Sequence, residues 1–190
     1  MCTPSAPATP PLSNAVLSIR IATAIPAGAP YPTSAQIATI QATWNSLVDA
    51  DNAAARRESI ATVGVAVFHN LFAAAPHAAD LFSFKDPAKG GAINATKLRK
   101  HAGVAFCAVD GLIADLADAP ATAATLTGVA QGHLKYSVQE AHYGLLLAAI
   151  VQTLGGALGP RWTGEAQAAW GALAAAIKAA VHAVYAQTEA

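Results

Sequence analysis

A chain of 190 residues with 54% hydrophobic content is long enough for one well-filled core and too apolar for a disordered segment. Lys+Arg and Asp+Glu both total 11, and charged residues make up only 12% of the chain, against roughly 25% in typical soluble domains. With no basic stripe or acidic tail, neither nucleic acid nor an anionic membrane is expected as a partner.

Seven of the 11 prolines fall within residues 4–32, where they remove backbone donors and bias the chain toward extended conformations. Residues 1–33 therefore read as a Pro/Ala-rich, disordered N-terminal extension, and residues 34–190 as the folded domain. The mildly apolar stretch Ala15–Ala29 lacks a positive start and is interrupted by Arg20, which argues against a secretory signal. A cytoplasmic location is the expectation, with secreted or organellar destinations left open by the extension. Cys2 and Cys107 are too few for a disulfide framework.

Helical patterning starts near Ser34, a suitable N-cap, with Ile37, Ile40, Trp44 and Leu47/Val48 forming one stripe. A second helix is expected from about Ala54 to Ala74, with Ile60, Val63/Gly64, Val67/Phe68 and Leu71/Phe72 inward. Pro76 ends it or opens a short turn to Leu81. Residues 83–93, with Pro87, Gly90 and Gly91, read as a loop. Asn94 then caps a helix to about Leu116, whose stripe of Leu98, His101/Ala102, Ala105, Val109 and Leu112 includes a histidine. The segment of about Ala121–Lys135 places Leu126, Val129/Ala130 and His133 on one face in the same way. Two long helices follow, about Glu140–Leu158 and Thr163–Gln187, separated by Gly159 and Pro160. The first has 20 residues without Lys, Arg, Asp or Glu before Arg161, but its glycine pair, Gln152 and missing basic flank favour a buried soluble helix over a membrane span. No period-two strand is found, so the architecture is all-α.

Two core-facing histidines on separate helices carry the chemistry. His101 and His133 are too far apart for one helix face, yet suit two helices that meet across a flat ligand, and haem fits that geometry. Phe68, Phe82, Phe84, Val129, Val138 and Leu146 supply apolar walls for it. By spacing alone the other reading of His133, a core histidine satisfied by a nearby carbonyl, stays open. His69, His77, His142 and His182 lack a ligand-like partner set, so zinc is not expected. Cys107 lies about 240° around the helix from His101 and reads as a packing residue.

From about Ser34 to Ala190 the ordered set of landmarks resembles the globin family. Trp44 resembles its first-helix tryptophan, and Leu71-Phe72, Pro76 and Leu81-Phe82 resemble the segment that ends in a haem-contacting phenylalanine. Leu98-Arg99-Lys100-His101-Ala102 resembles the distal-histidine segment, and Val129-Ala130-Gln131-Gly132-His133 the proximal one. Val138 through His142-Tyr143, Leu158-Gly159, Trp162-Thr163-Gly164-Glu165 and Ala169-Trp170 resemble the last two helices. The spacing is closer to neuroglobin-like and other non-vertebrate single-domain members than to muscle oxygen-storage proteins. Ala105 stands where a bulkier valine is usual, and Phe68 where leucine is common.

The resemblance implies a globin fold of six to eight helices around haem b, with His133 as proximal iron ligand, Phe82 stacked on the haem, and His101 distal or itself the sixth ligand. Phe68, Phe84, Ala105, Val129, Val138 and Leu146 complete the implied pocket. Lys100 and Lys135, each beside one of the histidines, either meet a haem propionate or face solvent. The implied function is reversible binding of dioxygen, carbon monoxide or nitric oxide. The alternatives are a bis-histidyl globin in sensing or redox chemistry, a nitric-oxide dioxygenase or nitrite reductase with an external reductase, and a haem-free helical module. The sequence shows no nucleotide-binding Gly-x-Gly-x-x-Gly stretch after a strand, so electrons would come from outside. The low-charge alanine-rich faces leave room for a homodimer.

Overall fold

The computed structural model describes residue 28 and residues 30–86 and 91–188. Most of the expected N-terminal extension lies outside these residues. Of its last positions, Pro32 is buried and the Tyr31 hydroxyl donates to the Leu116 carbonyl at 2.8 Å, so packing begins just ahead of the first helix.

Six α-helices occupy the described residues: α1 (Ser34–Val48), α2 (Ala53–Ala74), α3 (Ala95–Ala114), α4 (Ala119–Leu134), α5 (Glu140–Leu158) and α6 (Gly164–Ala186). Their starts are set by side chains that accept orphan backbone N–H groups. Asn52, Asn94, Asp118 and Thr163 cap α2, α3, α4 and α6. The cap of α1 is Thr33 rather than the expected Ser34. Its hydroxyl accepts from Gln36 N while the Gln36 side chain accepts from Thr33 N, which satisfies two donors at once. Pro76 cannot continue α2 and opens a 3-10 turn, Pro76–Leu81. The expected loop at 83–93 contains a two-residue antiparallel pair, β1 (Lys85–Asp86) with β2 (Ala92–Ile93), too short to leave an alternating signature.

The closest crossing is between α2 and α3. A Cβ on Gly64 would stand 2.7 Å from Phe106 Cδ2 and 3.0 Å from the Ala102 carbonyl oxygen, so only glycine lets these helices approach so nearly. The first helix is tied to α3 and to α6 through two adjacent residues, Trp44 and Thr43. Trp44 Nε1 donates to Asp110 at 2.8 Å, Arg56 pairs with the same carboxylate at 2.6 Å, and Trp170 Nε1 donates to the Thr43 hydroxyl at 3.0 Å.

By length and composition α5 and α6 could each cross a membrane, and 39% of the apolar window of each is buried inside the fold. Leu147, Ile150 and Leu154 of α5 and Trp170 and Leu173 of α6 join Ile40, Val67, Leu98 and Phe106 in the main core. A second, smaller cluster of Ala130, Tyr143, Val181 and Val184 joins α4, α5 and α6. His101 is carried by α3 of the main core, and His133 by α4, which adds Leu126 to the main core and Ala130 to the smaller cluster.

Candidate haem pocket

On the α3 side, His101 is half-buried at the edge of the core stripe. Its ring lies 5.3 Å from both Phe68 and Phe82 and 5.9 Å from Phe84, centroid to centroid, so it sits among three aromatic rings. Phe82 and Phe84 stack at 4.8 Å, and Phe72 meets Phe82 at 5.5 Å. Exposure separates the wall into two rows. Phe68 and Phe84 are only 3% and 5% exposed, whereas Phe82 and His101 are partly exposed. Ala105 and Leu146 are partly buried against the main core. Phe72 and Phe106 complete this aromatic group, Phe106 at 6.2 Å from Phe68; the sequence reading took Phe72 as a helix-face and landmark residue and did not single out Phe106.

On the α4 side, His133 Nδ1 lies 2.7 Å from the Val129 carbonyl oxygen. A carbonyl only accepts, so Nδ1 carries the proton and the lone pair is left on Nε2. Val129 and Val138 pack around the smaller cluster beside it. After α4 the chain turns back through Ser137, held at φ 58°, a left-handed conformation uncommon for a residue with a side chain. The Tyr185 hydroxyl donates to the Val138 carbonyl at 2.6 Å and fixes the returning segment to α6.

Tyr143 entered the sequence reading only as a landmark of the last two helices, not as a site residue. Its ring meets His133 edge-on at 6.1 Å and Tyr185 at 6.1 Å. Its hydroxyl is buried without a partner in hydrogen-bond geometry among the described residues, and burial, then the neighbouring Tyr185 phenol, push its titration upward. The hydroxyl thus stays protonated and leaves the cluster uncharged. A tyrosine on a helical stripe looks like any core aromatic, so only its place ten positions beyond a pocket histidine could have flagged it.

Neither ring nitrogen of His101 has a hydrogen-bond partner among the described residues. Burial, and then the charge of His133, lower its titration below the ordinary histidine value, so at neutral pH it presents a lone pair. The two imidazoles therefore sense one another while differing in restraint. One is locked in a single tautomer and the other is free to choose.

A family model described as Globin matches residues 65–181, more than half of the chain. The chain belongs to the globin family. It is a haem-binding globin, and its residues fit that group. The donor set is one imidazole with a fixed lone pair and one with no competing partner, bordered by aromatic and aliphatic side chains and by no carboxylate among the residues named above. Two of the other four histidines serve other ends. His142 Nδ1 accepts from Gln139 N at 2.9 Å at the start of α5, and His182 pairs with Glu140 at 3.1 Å. No group of three His, Cys, Asp or Glu side chains among the described residues is placed to hold a bare metal ion. Cys107 is half-buried and packs against the main core, in line with its reading as a packing residue.

Proposed function

We propose that this globin reversibly binds dioxygen or a related diatomic gas, carbon monoxide or nitric oxide, at haem b held by His133, with His101 on the opposite side. The observation that carries the reading is the contrast in restraint: the His133 ring is tied to the Val129 carbonyl at 2.7 Å, and His101 is tied to nothing among the described residues. A permanent ligand benefits from a fixed tautomer and ring plane; a group that must answer a visiting ligand benefits from freedom. Haem iron supplies the gas-binding and electron-exchange chemistry. Of the chain's own residues, His133 would hold the group, the aromatic and aliphatic side chains would keep water away, and His101 would donate a hydrogen bond to a bound gas.

With the sixth position open, a hydrogen bond from His101 worth about 1–3 kcal/mol would slow gas release about five- to 150-fold. The same freedom supports a second reading, in which His101 takes the sixth position itself. A site open about 1% of the time then binds gas about 100-fold more weakly, which suits sensing or redox chemistry.

Absorption spectra of haemin-loaded protein in the ferric and reduced states, with His101→Leu and His133→Ala variants, test both. Haem retention that is lost in His133→Ala is the expected result, and no Soret band in the unaltered protein would overturn the proposal. A broad five-coordinate ferrous spectrum supports gas binding. Sharp low-spin bands that vanish in His101→Leu assign the bis-histidyl form.

A further inference from the structure

At its far end, nine positions beyond His101 and about 14 Å along the axis, α3 meets α1 and α2 around a second group of polar side chains. A cavity of about 280 Å³ lies there, bordered by Gln41, Trp44 and Asn45 of α1, Arg56 of α2, and Asp110 and Ile113 of α3. None of the residues assigned to the haem pocket borders it. The volume falls just below the roughly 300–1,000 Å³ of pockets that take drug-sized ligands, which limits an occupant to a small metabolite.

Among the described residues, Arg56 and Asp110 are the only charged side chains in its lining. They pair side-on: Arg56 Nε donates to Asp110 Oδ2 at 3.3 Å and Nη2 to Oδ1 at 2.6 Å, with 30% and 24% of the two side chains still exposed. Trp44 Nε1 also donates to Asp110 Oδ1, at 2.8 Å, and Arg56 Nη2 to Asn45 Oδ1, at 2.9 Å. These bonds leave a defined remainder among the described residues. Donors remain at Arg56 Nη1 and Asn45 Nδ2. Acceptors remain at Asp110 Oδ2, which takes a single bond, and at Gln41 Oε1, whose amide nitrogen is spent on the Ile113 carbonyl at 3.0 Å.

A partly exposed ion pair with unspent donors beside its cation and unspent acceptors beside its anion fits a molecule that carries both charges. From this arrangement we propose that the cavity binds a free α-amino acid with an apolar side chain. The ligand carboxylate accepts from Arg56 Nη1 and Asn45 Nδ2, its ammonium donates to Asp110 Oδ2 and Gln41 Oε1, and its side chain lies against Trp44 and Ile113. Because the pair carries no net charge, a simple anion loses near Asp110 much of what it gains near Arg56, and a simple cation the reverse. A zwitterion gains at both. This binding site goes beyond the gas-binding function and does not rest on it.

The probe is L-leucine, titrated into the full-length chain with and without added haemin and followed by calorimetry and by the Trp44 indole N–H resonance, which reports on the Asp110 carboxylate it donates to. Saturable binding that shifts this resonance and leaves that of Trp162 unmoved is the expected result. Leucinamide and N-acetylleucine, each lacking one of the two charges, should bind at least about ten-fold more weakly, which tests the charge requirement on the unaltered chain. Asn45→Leu, at an exposed position, removes one donor while both members of the ion pair stay in place, and should weaken leucine binding about ten-fold. Lys178→Gln on α6 should leave it unchanged. No saturable binding, equal affinity for either analogue, undiminished binding by Asn45→Leu, or binding that requires haemin would each overturn the proposal, the last because it would place the amine on the iron.

Discussion

At the scale of single residues, burial of an imidazole that lacks a partner has a consequence for stability as well as for ligation. His101 titrates below its ordinary value, first because burial penalises the charged form and then because His133 is near. Between the folded value and the unfolded value of about 6.5, the unfolded chain binds more protons than the folded one, so stability rises with pH there. The contribution is complete above the unfolded value and is lost as pH falls through the folded one. Haem-free protein should therefore lose more stability between pH 7.5 and pH 5 than its His101→Leu variant does. Urea midpoints at the two pH values for both proteins check this, and equal losses would assign the acid sensitivity to other groups. His133 offers no parallel argument, since its environment matters through tautomer choice and its bond to Val129.

At the scale of helices, the contact that sets the architecture is the α2–α3 crossing at Gly64. Neither neighbour there is a flexible side-chain end: one is the Phe106 ring, buried in the core, and the other is the backbone carbonyl of Ala102. Gly64→Ala should consequently cost about 1–3 kcal/mol by overpacking, despite the helix propensity gained, and thermal or urea unfolding of the haem-free protein measures it. Loss of less than about 0.5 kcal/mol would mean that α2 and α3 can slide apart freely. The helices themselves were legible because Ile40-Trp44, Leu98-Ala102 and Trp170-Leu173 repeat at helical intervals, and that repetition is the same physical fact as their burial. Ends were less legible. Thr33 and Gln36 stand at capping-box spacing, a signal present in the sequence but overshadowed by the adjacent Ser34. The β1–β2 pair left none, since two residues per strand cannot display alternation. Within the pocket, His101 and His133 were readable because a histidine on an apolar stripe breaks the pattern. Phe72, Phe106 and Tyr143 conform to the pattern, so only tertiary contact distinguishes them from ordinary core residues.

For the molecule as a whole, the division of the core into two clusters decides where order depends on the ligand. The larger cluster draws on all six helices but takes only Leu126 from α4, which packs chiefly on α6 and adds Ala130 to the smaller cluster. A helix secured mainly along one neighbour opens at lower free energy than one enclosed on several sides. Haem held by His133 would add a tie between α4 and the rest of the pocket, and a ligand that binds only the ordered state stabilises it according to its concentration and affinity. In hydrogen-exchange mass spectrometry of the haem-free protein, amides of Ala119–Leu134 should therefore exchange at least about ten-fold faster than those of the α2 and α3 core. Adding haemin should remove most of that difference in the unaltered chain and leave it in His133→Ala. Protection of α4 equal to that of α3 before haemin is added would show that its packing on α6 is sufficient by itself, and that His133 is presented on a platform already formed.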